Sequence, residues 1–383
     1  MNVLHILQNK DKNSALFRSL VKGLEENSLN QSICYLKGKD DGNSPFEIAG
    51  LKIFTQGRET PKMFSPFLVS RIAKIIKDCD IDLVHCQRHK PTVYGTLAAW
   101  MVGEQVKVVT TVHGRKRTRG FTRKLTNRFI FKRISKIIAV SAAVGKDVVQ
   151  SNPSLNPDKV VTIYNGIDAE KFLLSGVSEE TAKKHLGIAQ NPGIVFGTAG
   201  RLAPVKGHDV LLRAFSKLLR KHPHSLLLIA GAGSLEQELK KLSEMLAIQN
   251  RVIFLGYRKD IQFLLRALDC FVLPSLSEGH PLALLEAMAA ENMVIASQVG
   301  GVPEILSVSG PGIMVPPGCV ESLAEAMEKV CQMTGDERSA QGEMLRQRVV
   351  ENYTVNKMVS AVACLYREVI GEKCCSLSKC SGN

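Results

Sequence analysis

The sequence predicts an α/β protein of two Rossmann-like, doubly wound parallel-sheet domains facing a cleft, and three observations predict it. At 383 residues the chain is too long for one ordinary domain. In each half, strand-sized apolar runs alternate with segments whose apolar residues recur at helical spacing, the pattern of βαβ units. Between the halves, residues 166–192 are polar, carry Gly166, Gly176, Gly187 and Pro192, and hold one short helical stretch. That segment reads as a hinge between a domain at 1–165 and one at 193–354, with 372–383 as a tail.

The first strand is expected at 3–7. The start, Met1-Asn2-Val3-Leu4-His5-Ile6-Leu7, lacks the basic stretch and cleavage site of a secretion signal. Further strands are expected at 32–36, 83–86, 106–112, 137–139 and 160–163, with helices between them at 16–26, 67–79, 91–102, 123–133 and 142–150. In the second half, strands at 194–199, 225–230, 252–254, 270–273 and 294–296 alternate with helices at 208–221, 234–246, 261–267, 282–290 and 320–333. A last amphipathic helix, 355–371, follows the completed second pattern and is open to packing back on the first domain. The run Asp78-x-Asp80-x-Asp82 precedes a strand rather than following one, so it reads as a helix-to-strand turn and not as a metal site.

Composition narrows the class. Hydrophobic residues make up 45% and charged residues 22%, the balance of a folded protein rather than a disordered one. No apolar run approaches the ~20 residues of a membrane span. Ten cysteines are scattered without a Cys-x-x-Cys pair, which reads as reduced thiols in a cytoplasmic protein. The Cys374-Cys375 and Cys380 tail lacks the spacing and histidines of a zinc site, so no metal is expected and the end reads as a frayed terminus. Net charge is +14, yet ten cations lie between Arg115 and Lys136 with no acid among them, leaving 40 basic against 36 acidic residues elsewhere. The basicity is local, which argues against a nucleic-acid-coating surface.

Two stretches carry chemistry. In Gly200-Arg201-Leu202-Ala203-Pro204-Val205-Lys206-Gly207-His208, a strand ends and a helix begins. Two cations beside a helix amino terminus suit a diphosphate. The Gly-x-x-x-x-Gly-Lys-Ser/Thr phosphate loop is absent, and on this piece alone an ordinary βα loop with solvated cations is an even alternative. In Pro274-Ser275-Leu276-Ser277-Glu278-Gly279-His280-Pro281-Leu282-Ala283-Leu284-Leu285-Glu286, a turn leads into an apolar helix with one carboxylate on it. A carboxylate so placed needs a partner if it is buried, and ribose hydroxyls qualify.

Together these motifs resemble the family 4 retaining glycosyltransferases, also described as glycosyl transferases group 1, of GT-B fold. The resemblance rests on Glu278, seven residues and Glu286 within Ser-x-x-Glu-Gly-x-Pro-x-x-x-x-Glu-Ala-Met-Ala, and on Gly-Arg-Leu-x-x-x-Lys-Gly at 200–207. Val140-Ser141, Asn165-Gly166-Ile167-Asp168, Gly231-x-Gly233 and Gly300-Gly301-Val302-Pro303-Glu304 extend it in register across about 105–305. It implies that the first domain serves the acceptor and the second binds a nucleotide-sugar. Arg201 and Lys206 then meet the donor diphosphate, following Gly200. Glu278 and the loop of Gly279, His280, Pro281, Leu282 and Ala283 hold the transferred sugar and the phosphates, the latter through backbone N–H groups that Pro281 lacks, and Glu286 takes the ribose. Tyr257 and Arg258 border the base. His113, in Thr111-Val112-His113-Gly114, resembles the residue near the donor sugar's hydroxyls and reacting carbon. The catalytic set so implied is His113, Arg201, Lys206 and Glu278, with no cofactor and a nucleoside-diphosphate sugar, foremost a UDP-sugar, as co-substrate. Charge building on the departing diphosphate is met by preorganised cations without a metal. The first loop departs from the family's pattern: Gln8-Asn9-Lys10-Asp11-Lys12-Asn13-Ser14 has no glycine where related enzymes carry a glycine pair.

The basic segment follows His113. Arg115, Lys116, Arg117, Arg119, Arg123 and Lys124 lead into a stretch where Phe121, Leu125, Phe129, Ile130, Phe131 and Ile134 recur at three- to five-residue steps. A basic, partly amphipathic helix of this kind suits an anionic membrane surface or a lipid-linked or anionic glycan acceptor. A core helix with a solvated basic face is the plain alternative. The reading is a hexosyltransferase extending a lipid-linked or envelope glycan, of lipopolysaccharide core or O-antigen type, at the cytoplasmic face of the inner membrane. A nucleotide-sugar epimerase or phosphorylase, a non-catalytic binding module, and a transferase using a soluble acceptor are the alternatives.

Overall fold

The computed structural model describes residues 1–10, 15–38, 46, 50–57, 64–114, 120–173, 176–188, 193–307 and 310–372. Two compact units emerge, one made of 1–166 with 355 onward, the other of 167–354.

The first unit begins β1 (Asn2–Leu7), α1 (Ala15–Glu26), β2 (Asn30–Tyr35), β3 (Lys52–Thr55), α2 (Pro66–Asp78) and β4 (Leu83–Gln87). It continues with α3 (His89–Val102), β5 (Lys107–Val112), α4 (Phe121–Arg133), β6 (Lys136–Ala139), α5 (Ala142–Ser151) and β7 (Val160–Thr162). Its sheet runs β3-β2-β1-β4-β5-β6-β7, with all pairs parallel. Strand residues alternate between two cores. Leu4 and Ile6 face the layer of α2 and α3, while Val3 and Ile33 face α1. Ser65 caps α2, its Oγ accepting from the Leu68 amide, and Ser141 caps α5 in the same way. Asp80 takes a φ of 46° in the turn between α2 and β4, and Asp82 accepts from the Asn2 amide at 2.7 Å. The acidic run is thus built as a turn.

The second unit holds α6 (Glu179–His185), β8 (Val195–Ala199), α7 (His208–Leu219), β9 (Leu226–Ala230), α8 (Glu236–Met245), β10 (Val252–Gly256) and α9 (Ile261–Arg266). It closes with β11 (Cys270–Leu273), α10 (Leu282–Ala289), β12 (Met293–Ser297), α11 (Val302–Leu306), β13 (Ile313–Val315), α12 (Val320–Gln332) and α13 (Gly335–Asn352). The sheet order is β10-β9-β8-β11-β12-β13, again parallel throughout. Phe196, Leu227, Ile229, Val272 and Ile295 fill its core against α7 and α12.

The last helix, α14 (Val355–Ile370), belongs to the first unit. Met358, Val359, Val362 and Tyr366 sink into one cluster with Phe17, Val21 and Leu24 of α1. A methyl on Gly23 would lie 2.6 Å from Val359 Cγ2, so the glycine permits the close crossing.

Four elements lie outside the sequence expectations: β3, β13, α11 and α13. The helix α13 is polar around most of its circumference, burying only Gly342, Leu345 and Val349, so its apolar period is faint. Its start is nonetheless marked, since Thr334 and Glu337 form a reciprocal capping box. The segment 166–192, read as a hinge, is grouped from Ile167 on with the second unit, where Ile167 donates to Tyr353 O at 2.8 Å.

Candidate active site

Both sheets reverse their order beside their first strand, between β1 and β4 and between β8 and β11. Loops at the carboxyl ends of strands flanking such a reversal form the natural ligand crevice of open α/β sheets. Arg201, Lys206 and Glu278 follow the flanking strands β8 and β11, whereas His113 follows β5 and Tyr257 and Arg258 follow β10.

In the second unit, Arg201 and Lys206 lie in the loop from β8 to α7, and Glu278 in the loop from β11 to α10. Lys206 Nζ donates to Glu278 Oε1 at 2.6 Å, and Ser275 Oγ donates to the same oxygen at 2.7 Å. The Leu276 amide bonds Val205 O at 2.8 Å, lacing the two loops together. Two glycines make this approach possible. Gly207 has a φ of 63°, and a Cβ there would stand 2.2 Å from Pro274 O. Gly300 has a φ of 55°, and a Cβ there would stand 1.9 Å from Glu278 O. Any side chain at either position opens the loops. The Gly301 amide then holds Gly279 O at 2.9 Å.

The cations are not equivalent. Lys206 is half-buried against Glu278, whereas Arg201 is exposed, and no ion pair holds it among the described residues. The pair Lys206–Glu278 is close to neutral as a unit, so the attraction for an anion rests on Arg201, the remaining Lys206 protons and the helix termini. The first-turn amides of α10 point out of a helix whose Pro281 cap offers no side-chain acceptor. His208, at the start of α7, is pulled down to about 4 by burial and, secondarily, by Lys206, so it is neutral near pH 7. His280, buried against Tyr353 with ring centroids 5.3 Å apart, is lowered by burial to about 3.

Glu286 lies one turn into α10, and burial raises its carboxyl above the ordinary range while Lys171 partly offsets the shift. Among the described residues no donor hydrogen-bonds it. A desolvated carboxylate of this kind gains most from neutral hydroxyl donors. Tyr257 is exposed at the end of β10. Arg258 is held by Asp260, with Nε to Oδ1 at 2.9 Å, and Asp260 in turn meets His185 Nε2 at 2.8 Å. The Arg258 guanidinium is therefore fixed by its own loop.

In the first unit, His113 follows β5, and its Nε2 lies 2.7 Å from Gln87 Oε1 at the end of β4. An amide oxygen only accepts, so His113 Nε2 carries a proton in this contact. Gln87 Nε2 faces His85 Nε2 at 3.2 Å, and Thr111 Oγ1 faces the same nitrogen at 2.7 Å. His85 Nδ1 meets the Tyr366 hydroxyl of α14. His85 is fully enclosed, and burial, then His5 and His113, push its pKa well below the ordinary value. It stays neutral, accepting at Nε2 and donating at Nδ1 to Tyr366. Sequence reasoning found His113 but not Gln87, His85 and Tyr366. The polar His85 and Gln87 within the buried strand Leu83–Gln87 were the visible sign.

Of the residues expected on the acceptor side, Arg115, Lys116, Arg117 and Arg119 lie outside the described residues, as do positions 11–14 of the glycine-free loop and the cysteine-containing tail from 373 on. Arg123 and Lys124 are exposed on α4. That helix is apolar on two sides, burying Ile130 and Phe131 while exposing Leu125 and Phe129. Among the described residues no helix is long and apolar enough to cross a membrane, and no group of acidic, histidine and cysteine side chains forms a metal site.

Comparison with known proteins gives two matches to family models. One described as Glycosyl transferases group 1 matches residues 178–348, and one described as Glycosyltransferase Family 4 matches residues 17–171. The UDP-Gal:alpha-D-GlcNAc-diphosphoundecaprenol alpha-1,3-galactosyltransferase of Escherichia coli is 29% identical over 315 residues, covering 78% of this chain and 79% of that protein. The N-acetyl-alpha-D-glucosaminyl L-malate synthase of Bacillus anthracis is 29% identical over 310 residues, covering 79% of each. Among solved structures, HepE of Anabaena in complex with UDP and glucose superposes with a TM-score of 0.82 at 20% identity, covering 96% of this chain and 100% of that one.

Proposed function

The chain belongs to the family 4 glycosyltransferases and is a hexosyltransferase of two Rossmann-like domains, and from that premise we propose that it moves a hexose from a nucleoside-diphosphate donor to a lipid-linked or envelope glycan, retaining the anomeric configuration and using no metal. UDP is the nucleotide of choice, since the Escherichia coli relative is named for UDP-Gal and the Anabaena structure holds UDP. The observation that carries the reading is the laced pair of loops in the second unit, where Lys206, Glu278 and Ser275 converge at 2.6 and 2.7 Å beside the amino terminus of α10.

Each group has work to do in such a reaction. As the anomeric carbon–oxygen bond breaks, negative charge grows on the diphosphate. Arg201, Lys206 and the α10 amides are donors already in place for it, so little reorganisation opposes the step. Glu278, anchored by Lys206 and Ser275, presents its carboxylate toward sugar hydroxyls, and Glu286 receives the ribose hydroxyls. The family resemblance gives His113, whose Nε2 is tied to Gln87, the role of serving the donor sugar's hydroxyls. The acceptor hydroxyl attacks the anomeric carbon on the face the diphosphate leaves, and its proton passes to a departing phosphate oxygen. The basic α4 supports an anionic lipid-linked acceptor at the cytoplasmic face of the inner membrane.

A panel of nucleotide-sugars tests the donor half by thermal stabilisation and slow donor hydrolysis. Stabilisation by a UDP-sugar, lost on combining Arg201→Ala with Lys206→Ala, is expected. Unchanged binding in that double variant sinks the site. A soluble acid acceptor is the second reading, favoured by the name of the Bacillus anthracis relative, a synthase of N-acetylglucosaminyl L-malate. Transfer to L-malate but not to a polyisoprenyl-diphosphate sugar would select it.

A further inference from the structure

Six large apolar side chains of the first unit, Phe64, Phe67, Trp100, Met101, Leu125 and Phe129, are each more than half exposed, and all lie on α2, α3 and α4 or at their ends. The other exposed large apolar residues described are scattered over the second unit. A cluster of this size on one face marks a binding surface.

The face is grooved rather than flat. A cavity of about 930 Å³ runs between α3 and α4. Tyr94 and Ile130, both buried, form its floor, and Phe64, Leu125 and Phe129 its rim. Phe64 is stacked on Tyr94 at 5.6 Å, and the Ser65 amide donates to Tyr94 Oη at 3.1 Å, so the rim is anchored to the floor. His89, Val93 and Leu97 line the groove at four-residue steps along one face of α3, a span of about 12 Å.

The groove has a polar end and an apolar end. His89 and Lys90 open α3 two and three residues after Gln87, the residue bonded to His113. His89 is bonded to Asn127 at 3.1 Å, and its pKa is lowered by burial and then by Arg123, which places that guanidinium's charge at the same end. The other end runs through Leu97 toward Trp100 and Met101. Charge follows the same polarity. Neither α3 nor α4 holds an acidic residue, and Arg123, Lys124, Arg128 and Lys132 are exposed on α4.

We propose that this groove seats a hydrocarbon chain of a phosphate-headed lipid, with the phosphate at the His89–Lys90–Arg123 end and the chain leading away from His113 toward Trp100. The proposal rests on the lipid-linked acceptor reading above and assigns it a place. A second copy of the chain is a poor occupant, because a symmetric contact sets one basic α4 against another. A lipid surface satisfies both the apolar rim and the cations.

Trp100 is the only tryptophan in the chain and reports on this face directly. The full protein is mixed with phosphatidylcholine vesicles, with and without phosphatidylglycerol, made with chains brominated at depth. Anionic vesicles are expected to sediment the protein at low salt, shift Trp100 emission to the blue and quench it, and high salt to reverse all three. In the variant Trp100→Phe with Leu97→Trp, quenching is expected to persist, because position 97 lines the groove. The pair Leu125→Glu and Phe129→Glu lowers partitioning on the order of tenfold or more, with the melting temperature and donor hydrolysis unchanged. Sedimentation without quenching at either position overturns the groove and leaves the membrane reading standing. Quenching at 100 but not at 97 also overturns it, since the face then docks with the groove empty. No sedimentation at low salt overturns the membrane reading itself, and a blue shift on self-association without lipid assigns the face to a second copy instead.

Discussion

At the scale of single residues, Gln87 and Glu286 differ in their surroundings, Gln87 bonded on both sides and Glu286 buried without a bonded donor among the described residues. Gln87 fixes the tautomer of His113 by offering only an acceptor, and it keeps that orientation because its amide nitrogen faces His85. Gln87→Ala is expected to lower kcat by roughly 10- to 100-fold, the usual loss when a positioning partner is removed, with KM for the donor little changed. Gln87→Glu restores the acceptor and adds a charge, so it should recover much of kcat while shifting the pH profile of His113 upward. A uniform loss with an unaltered pH profile in both variants would reduce Gln87 to a packing residue. Glu286 shows the opposite economy. Burial raises its carboxyl above the ordinary value, so the ionised form destabilises the fold above the unfolded pKa and the penalty vanishes as pH falls below it. Glu286→Gln should therefore raise the melting temperature near pH 7 while weakening donor binding by about 1.5–3 kcal/mol, the worth of hydrogen bonds to a charged acceptor. Calorimetry and donor titration on the same variant check both signs.

At the scale of elements, the carboxyl-end loops of the second unit work because backbone meets backbone. Gly207 and Gly300 admit contacts at which a Cβ would sit 2.2 and 1.9 Å from a carbonyl oxygen, so the motifs around Lys206 and Glu278 are packing devices in their own right. The closing helix α14 is a different case. It carries Tyr366 to His85 and fills the core on the α1 side of the first sheet with Met358, Val359 and Val362. Truncation before Val355 leaves that core open to water, and each lost large side chain costs about 1.5–3 kcal/mol of burial. The truncated chain should lose the first unit's melting transition, or aggregate, while a UDP-sugar still stabilises the second. Retention of both transitions would show that the helix is dispensable to the core.

At the scale of the whole molecule, four histidines buried as neutral rings govern the response to acid. His5 and His208 are lowered to about 4 and His280 to about 3, all first by burial, and His85 lies well below the ordinary value. A depressed histidine contributes stability that is present above the unfolded pKa of about 6.5 and is lost as pH falls toward the folded value, because the unfolded chain binds the proton first. A shift of the size seen at His5 and His208 is worth about 3 kcal/mol. His5 and His85 sit in the first unit and His208 and His280 in the second, so both units are expected to weaken between pH 6.5 and 4. Melting temperatures measured across that window should fall steeply, and a flat profile would contradict the neutral-histidine assignment.

Periodicity alone determined the two Rossmann-like sheets, because a strand buried on both faces writes an unbroken apolar run and its crossover helix writes a 3.6-residue period. The two loops that carry Arg201, Lys206 and Glu278 were legible too, since each runs from an apolar strand into the next helix. Elements with weak periods escaped: β3 and β13 are short, and α13 buries only three residues. Tertiary structure decided the rest, which depends on pairs distant in sequence. Lys206 meets Glu278 across 72 positions, Tyr366 meets His85 across 281, and the groove needs α3, α4 and Phe64 side by side. A sequence states which side chains are present and on which face of their own element. Only packing brings the faces of different elements together and sets which charge is paired, which proton is fixed and which apolar surface is left for a ligand.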